Sequence, residues 1–382
     1  MREVLDAEML NTKSKVGNAY ASYLDEAAVE KLGLKPIQPW LKQVRGVKTK
    51  AAFEKLLPTA ARNGVGALFG GYVGQDDKNP ETYIFQIFQG GTGLPDRDMY
   101  LVDTPKYEGI RVAYKKFLAD MLTHAGEANA TTRADAIFGM EKQIAQVQWT
   151  REDSGDATKT YNKMTLAQLD ALMPGLKMSP ILKKLSPKIK DVIVGQPSAL
   201  TGIGKIYADT DLGVLKDQMI VGSLNGYSDV LPNAIADTAF EFYGKTLQGT
   251  KVRQERWKRG VAFTEGALGE EVGKSYAERY FPAETKAAMN VLVDNVKSAM
   301  GRRIEGLEWM QPETKVKAKQ KLANFTTKIG YPDKWKDYSK LKMHPATCTA
   351  TICARRNGAL TTISNASVAR SAAGNGACCR RR

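Results

Sequence analysis

Every Trp, Tyr and Phe of this chain lies at or before Tyr338, and every Asp and Glu at or before Asp337. The last 40 of its 382 residues hold six arginines, all four cysteines (Cys348, Cys353, Cys378 and Cys379) and no acidic residue. A stretch without large apolar anchors cannot bury enough surface to offset the entropy of ordering it. The core therefore has to be built from residues 1–342. The chain reads as a mainly α body carrying a small β-hairpin, followed at 343–382 by an unstructured, disordered basic tail.

The same break explains much of the formal net charge of +15. Up to Lys342 acidic and basic residues are interleaved, which suits a solvated surface rather than a nucleic-acid footprint. No specific nucleic-acid partner is expected. No run of about 18 apolar residues is present, so no membrane span is expected either. The first ten residues show no apolar signal core, and the sequence as written reads as cytoplasmic. The cysteine spacings fit neither a zinc CxxC pair nor a regular disulfide framework.

Within the body, helical periodicity runs through Lys15–Lys31, through Thr49–Arg62 with an interruption at Pro58, and through Thr104–Ala125 and Thr131–Thr150. Shorter helices are expected at Thr165–Leu172 and Pro197–Ile206. Two further helical stretches flank Leu231–Pro232. The longest helices come late, at Arg253–Leu268, Ala283–Glu305 and Pro312–Asn324. In the Ala283–Glu305 stretch, Met289, Leu292, Val293, Val296, Met300 and Ile304 recur at 3–4 spacing and predict a core-facing stripe. The period changes at Ala67–Gly74 and Thr82–Gln89, where β-branched and aromatic residues bracket the turn-rich Gln75–Glu81 and predict a hairpin. Lys188–Gly195 predicts a short strand.

Several motifs read structurally. In Gly93–Asp98 (GLPDRD), Gly93 is expected to take positive φ and Pro95 to fix the turn. Asp96 and Asp98 are expected to hold Arg97 or cap the next helix, a use that outweighs a paired-carboxylate active site. Asp76 and Asp77 read as hairpin-turn residues, Trp309 and Met310 as core plugs, and Gly330-Tyr331-Pro332 as a rigid turn after a short strand. Gly90–Gly93 and Gly202–Lys205 lack the spacing of phosphate loops. The two histidines, His124 and His344, stand 220 positions apart, so HExxH is absent.

Four strings are more specific than composition: QDDKNPETYIFQIFQGGTGLPDRDMYL (Gln75–Leu101), YNKMTLAQL (Tyr161–Leu169), ALGEEVGKSYAERYFPAETKAAM (Ala267–Met289), and EWMQPETKVKAKQKL with IGYPDKW (Glu308–Leu322, Ile329–Trp335). Together they resemble the N-terminal region of the neprilysin and endothelin-converting-enzyme family of zinc metalloendopeptidases, especially its bacterial members. The resemblance implies a helical lid plus part of the wall beside the active site. In full-length members it implies zinc held by HExxH and a later Glu, hydrolysis of small peptides, and a periplasmic, extracellular or membrane-anchored location. No catalytic, cofactor-binding or metal-ligating residue carries over to this sequence, so no cofactor is expected in this chain and its status as an enzyme stays open.

The expectation is a truncated member, inactive alone. Its expected partners are small peptides or a separately encoded catalytic half. The alternative is a non-enzymatic helical module that binds a peptide or a partner protein. With free choice of wobble bases, Thr347–Ile363 read from the third base gives LYGNDLRAAQWRFDDN, and Asn375–Cys379 gives EWGML. Both look like the family's continuation, so the tail is expected to be frame-shifted. A truncated wall would leave apolar surface bare, with the late helices compact and the hairpin and first helices poorly supported.

Overall fold

The computed structural model describes residues 1–66, 68–339 and 341. The tail expectations, its cysteines and His344 included, lie outside the described residues. The described chain is mainly helical with one four-stranded sheet, and divides into two compact units.

The larger unit runs from Asp25 to Gln254. Its sheet has β1 (Phe69–Asp76), β2 (Asn79–Gln89), β3 (Asn162–Thr165) and β4 (Asp191–Val194), in the order β1-β2-β4-β3. β1 and β2 form the expected hairpin, but its turn is tighter than the turn-rich sequence suggests. Asp76 pairs with Asn79, so only Asp77 and Lys78 lie between the strands. β2 pairs parallel with β4, and β4 antiparallel with β3. Glycine suits β1 because rings from β2 occupy the space: a Cβ on Gly70 would lie 2.0 Å from the Phe88 ring, and one on Gly71 2.5 Å from Phe85.

Asp76 does more than end a strand. It is buried, accepts hydrogen bonds from Tyr161 Oη (2.7 Å), Lys163 Nζ (2.9 Å) and the Lys78 N–H (3.0 Å), and so ties the hairpin tip to β3. Burial alone would raise its carboxyl; the hydrogen bonds from Lys163, Tyr161 and Lys78 outweigh that and hold it down at about 2, from an ordinary 3.8. A depressed folded pKa means the contribution is present above pH ~4 and lost as pH falls through about 2. Asp76→Asn is expected to cost ~1–2 kcal/mol at pH 7, discounted for solvent at the half-exposed Lys163. Urea melts should show that difference shrinking steadily below pH 4.

The Pro197–Asp209 helix packs on β2, and the Pro105–His124 and Ala130–Val147 helices pack on each other, joined by a turn with Gly126 at φ +80° and Asn129 at φ +54°. The Leu212–Tyr227 helix runs through the core, burying Leu215, Met219, Ile220, Leu224 and Tyr227. Ion pairs Arg45–Glu127 (2.8 Å) and Arg133–Glu127 (2.7 Å), with Arg133 also on Asp217, lace three helices together. Phe240–Leu247 continues the Asn233–Ala239 helix as a π-helix.

The smaller unit joins Met1–Leu24 to the segment from Glu255 onward. The single helix expected over Lys15–Lys31 is two, Lys15–Leu24 and Glu26–Leu32. Asp25 accepts a hydrogen bond from the Ala28 N–H (3.0 Å) and starts the second. Thr49–Arg62 likewise splits, and Pro58 sits in the first turn of Leu57–Arg62. Leu5, Val16, Ala19, Tyr20, Ala267, Leu268 and Val272 form the core. The helix that the periodicity ends at Leu268 kinks there, at φ −130°, and continues as Arg256–Tyr280.

Three expectations fail in this unit. The stripe of Ala283–Glu305 does not face a core: Leu292 is 53% exposed, Val296 61% and Met300 51%, and only Ile304 is buried. The helix has Pro312–Ala323 beside it, and among the described residues nothing covers the rest of its apolar face. Trp309, expected as a core plug, is 74% exposed. No strand precedes Gly330, which does take positive φ (+69°), and Tyr331 stacks on Trp335 at 5.7 Å. Support thus departs from expectation in part. The first helix is well packed, with Val4 and Leu5 fully buried, and the hairpin buries Ile84 and Ile87. Of the late helices, Arg256–Tyr280 is packed, while Ala283–Glu305 and Pro312–Ala323 are largely bare.

Candidate functional site

The chemistry of the larger unit concentrates where β2 runs into Gly90–Asp98. Here Gly91, rather than Gly93, takes positive φ (+87°). Gly93 is required for space: a Cβ would lie 1.8 Å from Tyr114 Oη. Arg97 is not clamped by its acidic neighbours. Its Nε donates to the Ala145 carbonyl (3.1 Å), while Asp96 pairs with Arg151 (2.6 Å) and accepts from the Asp98 N–H.

The loop is held by Glu141, on the buried face of Ala130–Val147. Glu141 Oε2 accepts from Tyr100 Oη (2.7 Å), Tyr114 Oη (2.8 Å) and the Gly93 N–H (3.2 Å); Oε1 accepts from Gln218 Nε2 (3.1 Å). Tyr100 Oη in turn accepts from the Leu94 N–H (2.9 Å). Burial pushes the Glu141 carboxyl up, opposed by Tyr100, Gln218, Tyr114 and Gly93. Burial and the Glu141 charge raise the Tyr114 phenol strongly, and push Tyr243 up to about 12. Tyr114 serves as a donor to Glu141. A cavity of about 250 Å³ opens beside this hub, walled by Gly91–Gly93, Tyr114, Phe117 and Tyr243.

Gly93→Ala is expected to push Tyr114 off Glu141 and cost ~2–3 kcal/mol, as overpacking plus a disturbed buried hydrogen bond. A urea melt at neutral pH measures it.

Glu141, Tyr100, Tyr114 and Gln218 are not singled out by motif. One signal was available: Ala134, Ile137, Phe138, Glu141, Ile144 and Ala145 share one helical stripe, and a carboxylate in such a stripe must be paired or hydrogen-bonded.

The described residues do not fit a zinc site. They contain no group of three His, Cys, Asp or Glu placed to hold a metal, and His124 Nε2 is hydrogen-bonded to Thr238 Oγ1 (2.9 Å). Among them no helix is long and apolar enough to cross a membrane.

The second surface of note is the bare face of the smaller unit, where Leu292, Val296, Met300, Val316 and Phe325 are all more than half exposed. Monomeric proteins rarely leave so many large apolar side chains bare in one region.

Residues 1–332 match the sequence profile of Peptidase family M13. An endothelin-converting enzyme homolog of Locusta migratoria is 28% identical over 87% of this chain and 49% of its own length. Human endothelin-converting enzyme 1 is 26% identical over 86% of this chain and 44% of its own. The zinc metalloprotease Zmp1 of Mycobacterium tuberculosis, in its open state, superimposes with a TM-score of 0.89 at 30% identity, covering 96% of this chain and 58% of that one. The chain thus spans about half the length of the curated relatives it matches.

Proposed function

Because this chain belongs to peptidase family M13, we propose that it supplies the N-terminal part of a zinc metalloendopeptidase acting on small peptides. The larger unit serves as the lid and the smaller unit as a wall on which a catalytic half packs. The observation that carries this reading is the bare apolar face of the Ala283–Glu305 and Pro312–Ala323 helices. That face has the residue types and helical spacing of a buried interface and no cover among the described residues.

In such an enzyme zinc polarises the scissile carbonyl and brings its bound water to a pKa of about 7. With two histidines 220 positions apart, residues 1–382 contain no HExxH to hold it. The zinc ligands come from residues beyond these 382, on the same polypeptide or a separate one. This chain's own part is to enclose the peptide and exclude water. The coverage of about half of the relatives' length supports that division.

The test is co-expression with the C-terminal remainder of a family relative. Chelator-sensitive cleavage of a quenched peptide by the pair, and by neither part alone, is the expected result. Peptide binding by this chain that ignores chelator, with no gain of cleavage in the pair, would favour a non-enzymatic binding module instead.

A further inference from the structure

The cavity beside Glu141 has features that packing alone does not require. Its volume, about 250 Å³, lies between the ~30 Å³ share of one water and the ~300–1,000 Å³ of drug-sized sites. Gly64 and Gly66, both exposed, stand among its lining residues, so it reaches solvent. On its inner side lies the Glu141 carboxylate, only 2% exposed. Among the described residues no lysine or arginine comes within 4 Å of that carboxylate. Its four hydrogen bonds come from neutral donors, three of them on Oε2, which leaves Oε1 with acceptor capacity.

The walls are aromatic. Phe117 and Tyr243 meet edge to face, with centroids 5.3 Å apart and planes at 79°, and make a corner of the cavity. Tyr243 stands there because Phe240–Leu247 is wound as a π-helix, a rare form found disproportionately at functional sites. Gly244 permits that winding, since a Cβ would lie 2.4 Å from the Phe240 ring. Tyr243 Oη is 3.5 Å from both Asn225 Nδ2 and the Gly93 carbonyl, too far for either to hold it firmly.

We propose that this cavity binds a small organic ammonium ion, its charge set against Glu141 and its alkyl groups against Phe117, Tyr114 and Tyr243. Burial disfavours the charge on Glu141 and a neighbouring cation favours it, a gain that a neutral guest cannot give and an anion would oppose. A cation with an apolar shell satisfies both the carboxylate and the ring quadrupoles. The binding is independent of peptide cleavage and needs no residue outside the larger unit.

The experiment titrates the full chain with choline and with its uncharged carbon isostere, 3,3-dimethylbutan-1-ol, at constant ionic strength. Binding is followed by calorimetry. The expected result is saturable one-to-one binding of choline, with the isostere at least about tenfold weaker. Tyr243→Leu, at a half-buried position, should weaken choline about threefold to thirtyfold. Glu141→Gln should weaken it further. If that variant does not fold, the isostere comparison and Tyr243→Leu decide the matter without it. No saturable binding, equal affinity for choline and its isostere, or an unchanged Tyr243→Leu would each overturn the proposal.

Discussion

Replacing Glu141 with alanine is expected to destabilise the larger unit by ~3–5 kcal/mol, the range for breaking a buried, charged hydrogen-bond hub. The substitution strips the acceptor from Tyr100 Oη, Tyr114 Oη and one Gln218 Nε2 proton together, and leaves the Gly93 N–H only Tyr100 Oη (3.1 Å), in a region where the carboxylate is 2% exposed. Each orphaned donor costs ~1–3 kcal/mol, and because they share one site the costs do not simply add. Against a domain stability of ~5–15 kcal/mol, such a loss populates the unfolded unit visibly. Glu141→Gln keeps one acceptor oxygen for the phenols and is expected to cost about half as much. Hydrogen exchange read on Pro105–His124 and Ala130–Val147 measures both. The alanine variant should lose protection across the two helices, while Leu5 and Leu268 of the smaller unit keep their packing.

The second large effect separates stability from assembly. Leu292→Asp with Val296→Asp changes side chains that are 53% and 61% exposed. Exposed substitutions of this kind shift stability by no more than ~0.5 kcal/mol. If the face is an interface, two charges at its centre should weaken association with the catalytic half by a factor of ~100 or more, since central apolar anchors carry most interface energy. Leu268→Ala, at a fully buried core position, is expected to do the opposite: ~2–5 kcal/mol of lost stability, with the bare face unchanged. Thermal melts and the co-expression assay, run on both variants, read the two effects independently.

These contrasts also show what the amino-acid order discloses. The hairpin is legible because the hydrophobic period switches from 3.6 to 2 across Phe69–Gln89, and Pro312 opens its helix where first-turn proline should. The fate of the Met289–Ile304 stripe is not legible, because a helix facing its own core and one facing a partner carry the same apolar spacing. Asp76 reads locally as a turn residue. That it is buried against Tyr161 and Lys163, more than 80 positions away, follows only from β3 pairing with β4 beside β2. Glu141 lay between the two cases: its place in an apolar stripe is visible, but its partners come from the Asp98–Leu101, Pro105–His124 and Leu212–Tyr227 helices and from the loop at Gly93. Arg97 shows the same limit in reverse, since adjacent carboxylates suggested a local clamp and the backbone of Ala145 holds it instead.

The central claim is that residues 1–382 provide the lid and wall of a zinc peptidase and depend on other residues for the metal. Zinc content of the purified 382-residue chain, measured beside cleavage of a short quenched peptide with and without chelator, tests it most directly. The expected result is zinc far below one per chain and no chelator-sensitive cleavage. One zinc per chain with chelator-sensitive turnover would contradict the claim, and would mean that side chains within this sequence build a metal site of another kind.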